Sequence, residues 1–284
     1  MLSFRFGTVG SPQATPKNPG GSVGGIRYAR SIGLDALELA WVQGVRVSES
    51  TCAAIRATAE QYDVALSVHA PYYINLNCDV EKWERLRLFL TSAAYFGNLA
   101  GATDIVFHPG SYFGRPFEEV IKVVLPRLQG IQDEIRNSGN KVTLRPETMG
   151  KTAVIGSLSD SLELAKGVEG VVPCMDFAHL HARAGDGTMN TYEEWMQVLK
   201  TYRKDLGKES MQNLHVHLSG INYGPKGEKN HLILEEADMD FKALFKALMD
   251  SKAKGRIMCE SPVMEVDAIK FRNMWMEISG EKPD

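Results

Sequence analysis

The sequence predicts a parallel (β/α)8, or TIM, barrel forming a single domain over residues 1–284. Three observations lead there. Short apolar runs alternate with amphipathic stretches eight times, the pattern of strand–helix units in a parallel sheet. No GxGxxG follows the first apolar run, which argues against an open doubly wound sheet. The length of 284 residues suits one barrel, since such barrels commonly run to about 250 residues. The units also lack the internal sequence repeat of a solenoid.

Each element has its own signal. Leu2 to Thr8 reads as the first strand, followed by a Gly/Pro-rich loop from Gly10 to Gly25. Ile26 to Ile32 is helical and stops at Gly33. Leu34 to Ala40 is strand two. Ser48 opens a helix to Tyr62, with Ser and Glu as capping signals. Val64 to His69 is strand three, and Val80 to Leu99 is a long helix closed by Gly101. Asp104 to His108 is strand four, and Phe117 to Arg136 a helix stopped by Asn137-Ser-Gly. Lys141 to Glu147 is strand five. Ser157 to Gly167 is helical, capped by Ser159 or Asp160. Val171 to Asp176 is strand six and Tyr192 to Leu206 a helix. Leu214 to Leu218 is strand seven, and Met239 to Lys252 a helix. Arg256 to Glu260 is strand eight, and Val266 to Ile278 the last helix.

Composition narrows the function classes. The chain is 44% hydrophobic and 24% charged, enough apolar residues for a large core. A net charge of -3 argues against a broad basic nucleic-acid surface and leaves only a local basic rim for such binding. Cys52, Cys78, Cys174 and Cys259 are scattered without a CxxC pair, which suggests a reducing compartment. No apolar run approaches ~18 residues and no leader is visible, so a soluble cytoplasmic protein without membrane contact is expected. Nothing points to a protein partner.

The strand ends carry the chemistry. Strand two bears Glu38, strand three His69 and strand four His108. Strand five ends in Glu147, strand six in Asp176, strand seven in His217 and strand eight in Glu260. In a barrel of this kind the carboxyl ends of the strands meet on one face. Burying so many ionisable groups together is costly unless something satisfies them, and a metal cluster would. All seven histidines fall at strand ends or in loops, outside every predicted helix. The plainer alternative is an Asp176 that caps its loop and histidines that pack. Parity puts His215 on the same side of its strand as His217 and a layer deeper, in a supporting role. It likewise pairs Arg145 with Glu147, so an Arg145–Glu38 ion pair inside the barrel is expected. That pair would give Glu38 a structural role ahead of ligation.

Six segments taken together resemble the signatures of the endonuclease IV family. They are VHAPYYINL, VFHPGSY, PETMGKTAVIG, CMDFAHLHARAG, HVHLSG and MCESP, in that order over roughly residues 60–265. The family comprises zinc-dependent apurinic/apyrimidinic endonucleases on a TIM barrel. The resemblance implies that His69 and His108 hold one zinc and that Glu147 bridges to a second. Asp176, His217 and Glu260 would complete the second, and His179 and His231 would serve a third. Glu147 would be central to catalysis, and Tyr72 would lie against damaged double-stranded DNA. The implied activity is hydrolysis of the phosphodiester 5′ to an abasic site. One departure concerns the third zinc. The family has Asp-x-His after strand seven, whereas this chain reads GEKNH, with Lys229 two residues before His231. A protonated lysine cannot ligate, so either Glu228 reaches in through a one-residue shift or the third zinc is weak or absent. The loop after strand two, LAWVQGVRVSES, is also less basic, though Trp41, Gln43 and Arg46 remain available to nucleic acid.

Two rival functions stay open. A sugar isomerase or epimerase on the same barrel would need one Mn2+ or Mg2+ held by Glu147, Asp176, His217 and Glu260. A non-catalytic barrel could keep the metals and only bind damaged DNA or a small phosphate.

Overall fold

In the computed structural model, which describes residues 2–283, the apolar runs become strands buried on both faces. Met1 and Asp284, the ends of the expected 1–284 domain, lie outside the described residues. Strands β1 (Phe4–Val9), β2 (Ala36–Ala40), β3 (Ala65–His69), β4 (Asp104–Phe107) and β5 (Thr143–Pro146) follow the expected positions within two or three residues. So do β6 (Cys174–Asp176), β7 (Leu214–Leu218) and β10 (Gly255–Cys259). The eight form one sheet of order β5-β4-β3-β2-β1-β10-β7-β6, and all of its pairings are parallel. Parallel bridges Leu144–Val171 and Glu147–Cys174 join its two ends, so the barrel is nearly closed.

Helices α1 (Gly21–Ser31), α2 (Glu49–Tyr62), α3 (Val80–Ala100), α4 (Phe117–Asn137) and α5 (Leu158–Gly167) surround it. They continue with α7 (Tyr192–Leu206), α8 (Phe241–Asp250) and α9 (Glu265–Ser279). Ser48 caps α2 by accepting from the Thr51 N–H. The cap of α5 is Ser157, not Ser159 or Asp160. Asp160 instead returns the bond to the cap backbone, which completes a capping box.

Two insertions depart from the simple alternation. Asp176 is followed at once by α6 (Phe177–Ala184), a short helix whose first turn its own carboxylate caps through the His179 N–H at 2.6 Å. His179 and His181 are therefore helical, against the expectation that the histidines avoid helices. After β7 the chain forms an antiparallel hairpin, β8 (Gly220–Gly224) and β9 (Gly227–Leu232), outside the barrel sheet.

Alternation along the strands sorts the core. Leu37, Leu39, Leu66, Val68, Leu144 and Val216 belong to the hydrophobic core. Between them sit buried Glu38, Ser67, His69, Arg145, His215 and His217. These line the barrel, whose interior is therefore far more polar than the branched aliphatic filling such barrels usually have. All four cysteines are buried free thiols. Among the described residues no helix is long and apolar enough to cross a membrane.

Candidate metal centre

Every strand-end residue singled out in the sequence reaches the same end of the barrel interior except Glu38, which lies a layer deeper, level with Ser67. Glu147, just past β5, sits at the middle. His108 Nε2 and His69 Nε2 approach its Oε2 at 3.2 and 3.4 Å. His179 Nδ1 and His217 Nδ1 approach its Oε1 at 3.2 and 3.3 Å. Asp176 lies 3.3 Å from His179, and Glu260 lies 3.5 Å from His217. Ligand-type atoms of Glu147, Asp176, His217 and Glu260 fall within 4.8 Å of one another, as do those of His69, Glu147 and His217. The same holds for His179, His231 and Glu260.

Backbone carbonyls orient several rings. The His69 Nδ1–H donates to Ala70, His179 to Thr148 and His231 to Glu260, at 2.9, 3.0 and 3.0 Å. Thr148 also ties β5 to β6, donating from its hydroxyl to the Asp176 carbonyl and accepting from the Asp176 N–H.

A one-residue irregularity in the hairpin decides the third group. Asn222 pairs with Asn230 but Tyr223 pairs with Glu228, so Lys229 is an extra residue on its strand. Such a bulge re-aims the side chains on either side of it. Here Glu228 and His231 both line the mouth cavity. The Lys229 ammonium end runs back over Gly224. Glu228 Oε2 stands 3.6 Å from His179 Nε2, and His231 Nε2 stands 3.5 Å from the same nitrogen. The carboxylate missing from the family pattern is thus present one residue earlier.

The Arg145–Glu38 pair does not form. Arg145 Nε donates to Asp104 Oδ1 at 2.6 Å, and Arg256 reaches Asp104 Oδ2 at 3.0 Å. Arg145 also donates to the Asn213 carbonyl. Asp104 begins β4 and so was missed by an inventory of strand ends, yet two guanidinium groups need it. Glu38 turns instead to β7, where His215 Nε2 and His217 Nε2 lie 2.9 and 3.0 Å from its two oxygens.

The electrostatics follow from this crowding. Burial opposes charge on Glu147, but His217, His108 and His179 outweigh it and hold its carboxyl well below the usual range. Burial likewise opposes charge on Glu38, and His217 and His215 overcome it. Asp176 goes the other way. Burial, reinforced by Glu260 and Glu147, pushes it up to about 7. Burial resists protonating His179, but Asp176 and Glu147 raise it to about 10.

The residues fit a divalent ion. Both oxygens of Glu147, Asp176 Oδ2 and His217 Nδ1 are buried without a hydrogen-bond partner. Such groups cost on the order of 1–3 kcal/mol each when left unmet. Mixed imidazole and carboxylate donors suit zinc and neighbouring transition ions. Above them opens a cavity of about 370 Å³ lined by Tyr72, His108, Met149, Lys151, His179 and Glu228 among others. Tyr72 is 52% exposed and stacks on His108 with ring centroids 5.0 Å apart.

With this geometry established, comparison with known proteins gives the family. The model of the xylose isomerase-like TIM barrel matches residues 26–277. The chain belongs to that family. An uncharacterised protein of Methanocaldococcus jannaschii is 35% identical over 96% of this chain and 97% of its own length. A probable endonuclease 4 of Staphylococcus saprophyticus is 31% identical over 175 residues, 58% of this chain and 56% of the relative. The chain thus spans little more than half of the endonuclease relative it matches. Among solved structures, endonuclease IV from Thermus thermophilus superposes with a TM-score of 0.71 at 22% identity, covering 92% of this chain and 95% of that one. A D-tagatose 3-epimerase-like protein superposes at 0.68 and 18% identity, over 91% and 96%. At these identities the structures speak for the fold. Within the xylose isomerase-like family, the resemblance to endonuclease IV is carried by sequence.

Proposed function

We propose that this member of the xylose isomerase-like family is a metal-dependent phosphodiesterase that cuts DNA 5′ to abasic sites and uses zinc. The observation that carries the reading is the number of donors at one mouth. Five imidazoles (His69, His108, His179, His217, His231) and four carboxylates (Glu147, Asp176, Glu228, Glu260) exceed what one ion needs. His69, His108 and Glu147 would hold one ion, and Glu147, Asp176, His217 and Glu260 a second. His179, His231 and Glu228 would hold a third. Bound divalent ions supply Lewis-acid chemistry, making water a nucleophile at neutral pH and neutralising charge on phosphoryl oxygens.

The protein's own groups do the rest. Glu147 is the acidic residue common to two of the sets and would serve both ions. Tyr72 offers an aromatic face beside His108 for the sugar or base next to the lesion. Lys151 brings a positive charge to an otherwise acidic cavity, as a phosphate requires. An abasic sugar is cheap to extrude because no base is left to unstack.

A second reading has one specific observation in its favour. Glu147, Asp176, His217 and Glu260 alone make a compact four-donor group, enough for a single-ion sugar isomerase or epimerase with Mn2+ or Mg2+. One experiment separates the two. Metals per chain are counted, then an abasic duplex is offered with and without a strong chelator. Two or three zincs and chelator-sensitive nicking are expected. One manganese or magnesium with no nicking would instead favour sugar chemistry.

A further inference from the structure

His69 and His231 are held alike, and His179 shares their carbonyl bond although its Nδ1 also lies 3.2 Å from Glu147 Oε1 and 3.3 Å from Asp176 Oδ2. Each donates Nδ1–H to a backbone carbonyl. Each leaves Nε2 facing a carboxylate of the mouth, Glu147, Glu228 and Glu260 respectively. His217 is turned round. Its Nδ1 faces Glu147 Oε1 at 3.3 Å and Glu260 Oε1 at 3.5 Å, and its Nε2 faces down the barrel. There it lies 3.0 Å from Glu38 Oε1. The approach is off the line of an ideal hydrogen bond. Yet both atoms are buried, and neither has a hydrogen-bond partner among the described residues.

The other oxygen of Glu38 is already engaged. Ser67 Oγ–H donates to Oε2 at 2.6 Å, and His215 Nε2 lies 2.9 Å from the same oxygen. Glu38 is therefore pinned from below with Oε1 left for His217. It reaches across the barrel to do so, since β2 and β7 are separated in the sheet by β1 and β10.

We propose that Glu38 is a positioning residue for the metal centre, keeping His217 in its Nε2–H tautomer so that the Nδ1 lone pair meets the ion held with Glu147, Asp176 and Glu260. The inference rests on the metal-centre reading above. Ligating imidazoles generally donate their second N–H to a carbonyl or carboxylate, which fixes ring and tautomer and raises ligand basicity. Where its neighbours have a carbonyl, His217 has a carboxylate oxygen at 3.0 Å, which a small turn of either side chain would make a charge-assisted hydrogen bond.

The test reads the tautomer directly in the full chain. Protein labelled with 15N-histidine is loaded with 113Cd2+, and the His217 signals are assigned by their loss in His217→Asn. Cadmium coupling at Nδ1, with the proton on Nε2, is expected; coupling at Nε2 would overturn the proposal. Glu38→Gln gives the second arm. Ser67 and His215 both donate to one oxygen, so the amide NH2 would face His217 and drive it to the Nδ1–H form. Cd2+ affinity should fall about 10- to 100-fold, with loss of the Nδ1 coupling. Unchanged affinity and coupling in that variant would overturn the proposal while leaving the metal centre intact. If wild-type protein takes up no Cd2+, the metal-centre reading itself falls and this inference with it. Should Glu38→Gln not fold, the wild-type spectrum still decides.

Discussion

Two charged layers share the barrel interior, and they are built on opposite terms. In the lower one, Asp104 meets Arg145 and Arg256, and none of the three side chains carries an orphaned polar atom. Burial opposes its charge, yet the two cations hold the Asp104 carboxyl far below the usual range. In the upper one, Glu147, Asp176 and Glu260 crowd together with imidazoles, and several of their buried atoms have no partner. The lower layer is complete without help. The upper one leaves buried ionisable atoms unpartnered, a state that a bound cation would resolve. The difference separates a structural use of buried charge from a functional one more clearly than burial does.

The largest expected effect is on activity. Glu147→Gln should lower nicking of an abasic duplex by on the order of 10³-fold, as loss of a preorganised charge-stabilising group does. His215→Ala, one layer down, should lower it by no more than about 10- to 100-fold, the scale of supporting partners. Steady-state rates with saturating zinc decide this, and the reverse order would refute the roles given to the two residues. Next comes stability. Asp104→Asn leaves two buried guanidinium groups short of a countercharge and should cost about 3–5 kcal/mol, with or without zinc. Asp176→Asn should do the opposite in metal-free protein, since it relieves like-charge crowding. Denaturant unfolding with chelator compares them, and equal losses would erase the contrast between the layers.

pH sharpens the comparison further. Asp176 is raised in the fold from 3.8 to about 7 and His179 from 6.5 to about 10. Both shifts are upward, so each contribution to stability is complete below the unfolded value and is lost as pH rises through the folded one. His215, which burial lowers to about 4, gains over the window in which Asp176 loses, so the melting temperature of metal-free protein should fall most clearly above about pH 7, through His179. Zinc should act in the other sense, because ligands must be deprotonated to bind it. The gain in melting temperature on adding zinc should grow between about pH 6 and about pH 8. Parallel melting curves across that range would contradict the assignment of these residues to the ion.

How much of this was legible in the sequence depends on the range of the contact. Strand parity and strand ends are local, and they suffice to place Glu38, His69, His108, Glu147, Asp176, His217 and Glu260 in one barrel interior. The partner of Arg145 was not local. It depends on how the closed barrel juxtaposes β4, β5 and β10, and Asp104 starts its strand, so a search of strand ends passed over it. Helix α6 was missed because eight residues give little periodicity and its cap, Asp176, already read as a strand-end carboxylate. The hairpin was missed because GINYGPKGEKN shows no apolar alternation.

That hairpin yields the smallest and most local prediction. Alternation would put Glu228 and His231 on opposite faces of β9. The extra residue at Lys229 brings them to the same cavity, and the lysine leaves along Gly224. The one-residue shift that would let Glu228 reach in is thus present, and on the proposed function Glu228 would join His179 and His231 at a third ion with Lys229 turned away. Glu228→Gln should lower zinc content by one ion per chain and change unfolding free energy by less than about 1 kcal/mol, as for a partly exposed charge. Lys229→Ala should leave the zinc content unchanged. Elemental analysis of the two variants beside wild type tests the bulge itself: if Lys229→Ala alters the count and Glu228→Gln does not, then the two side chains face the other way.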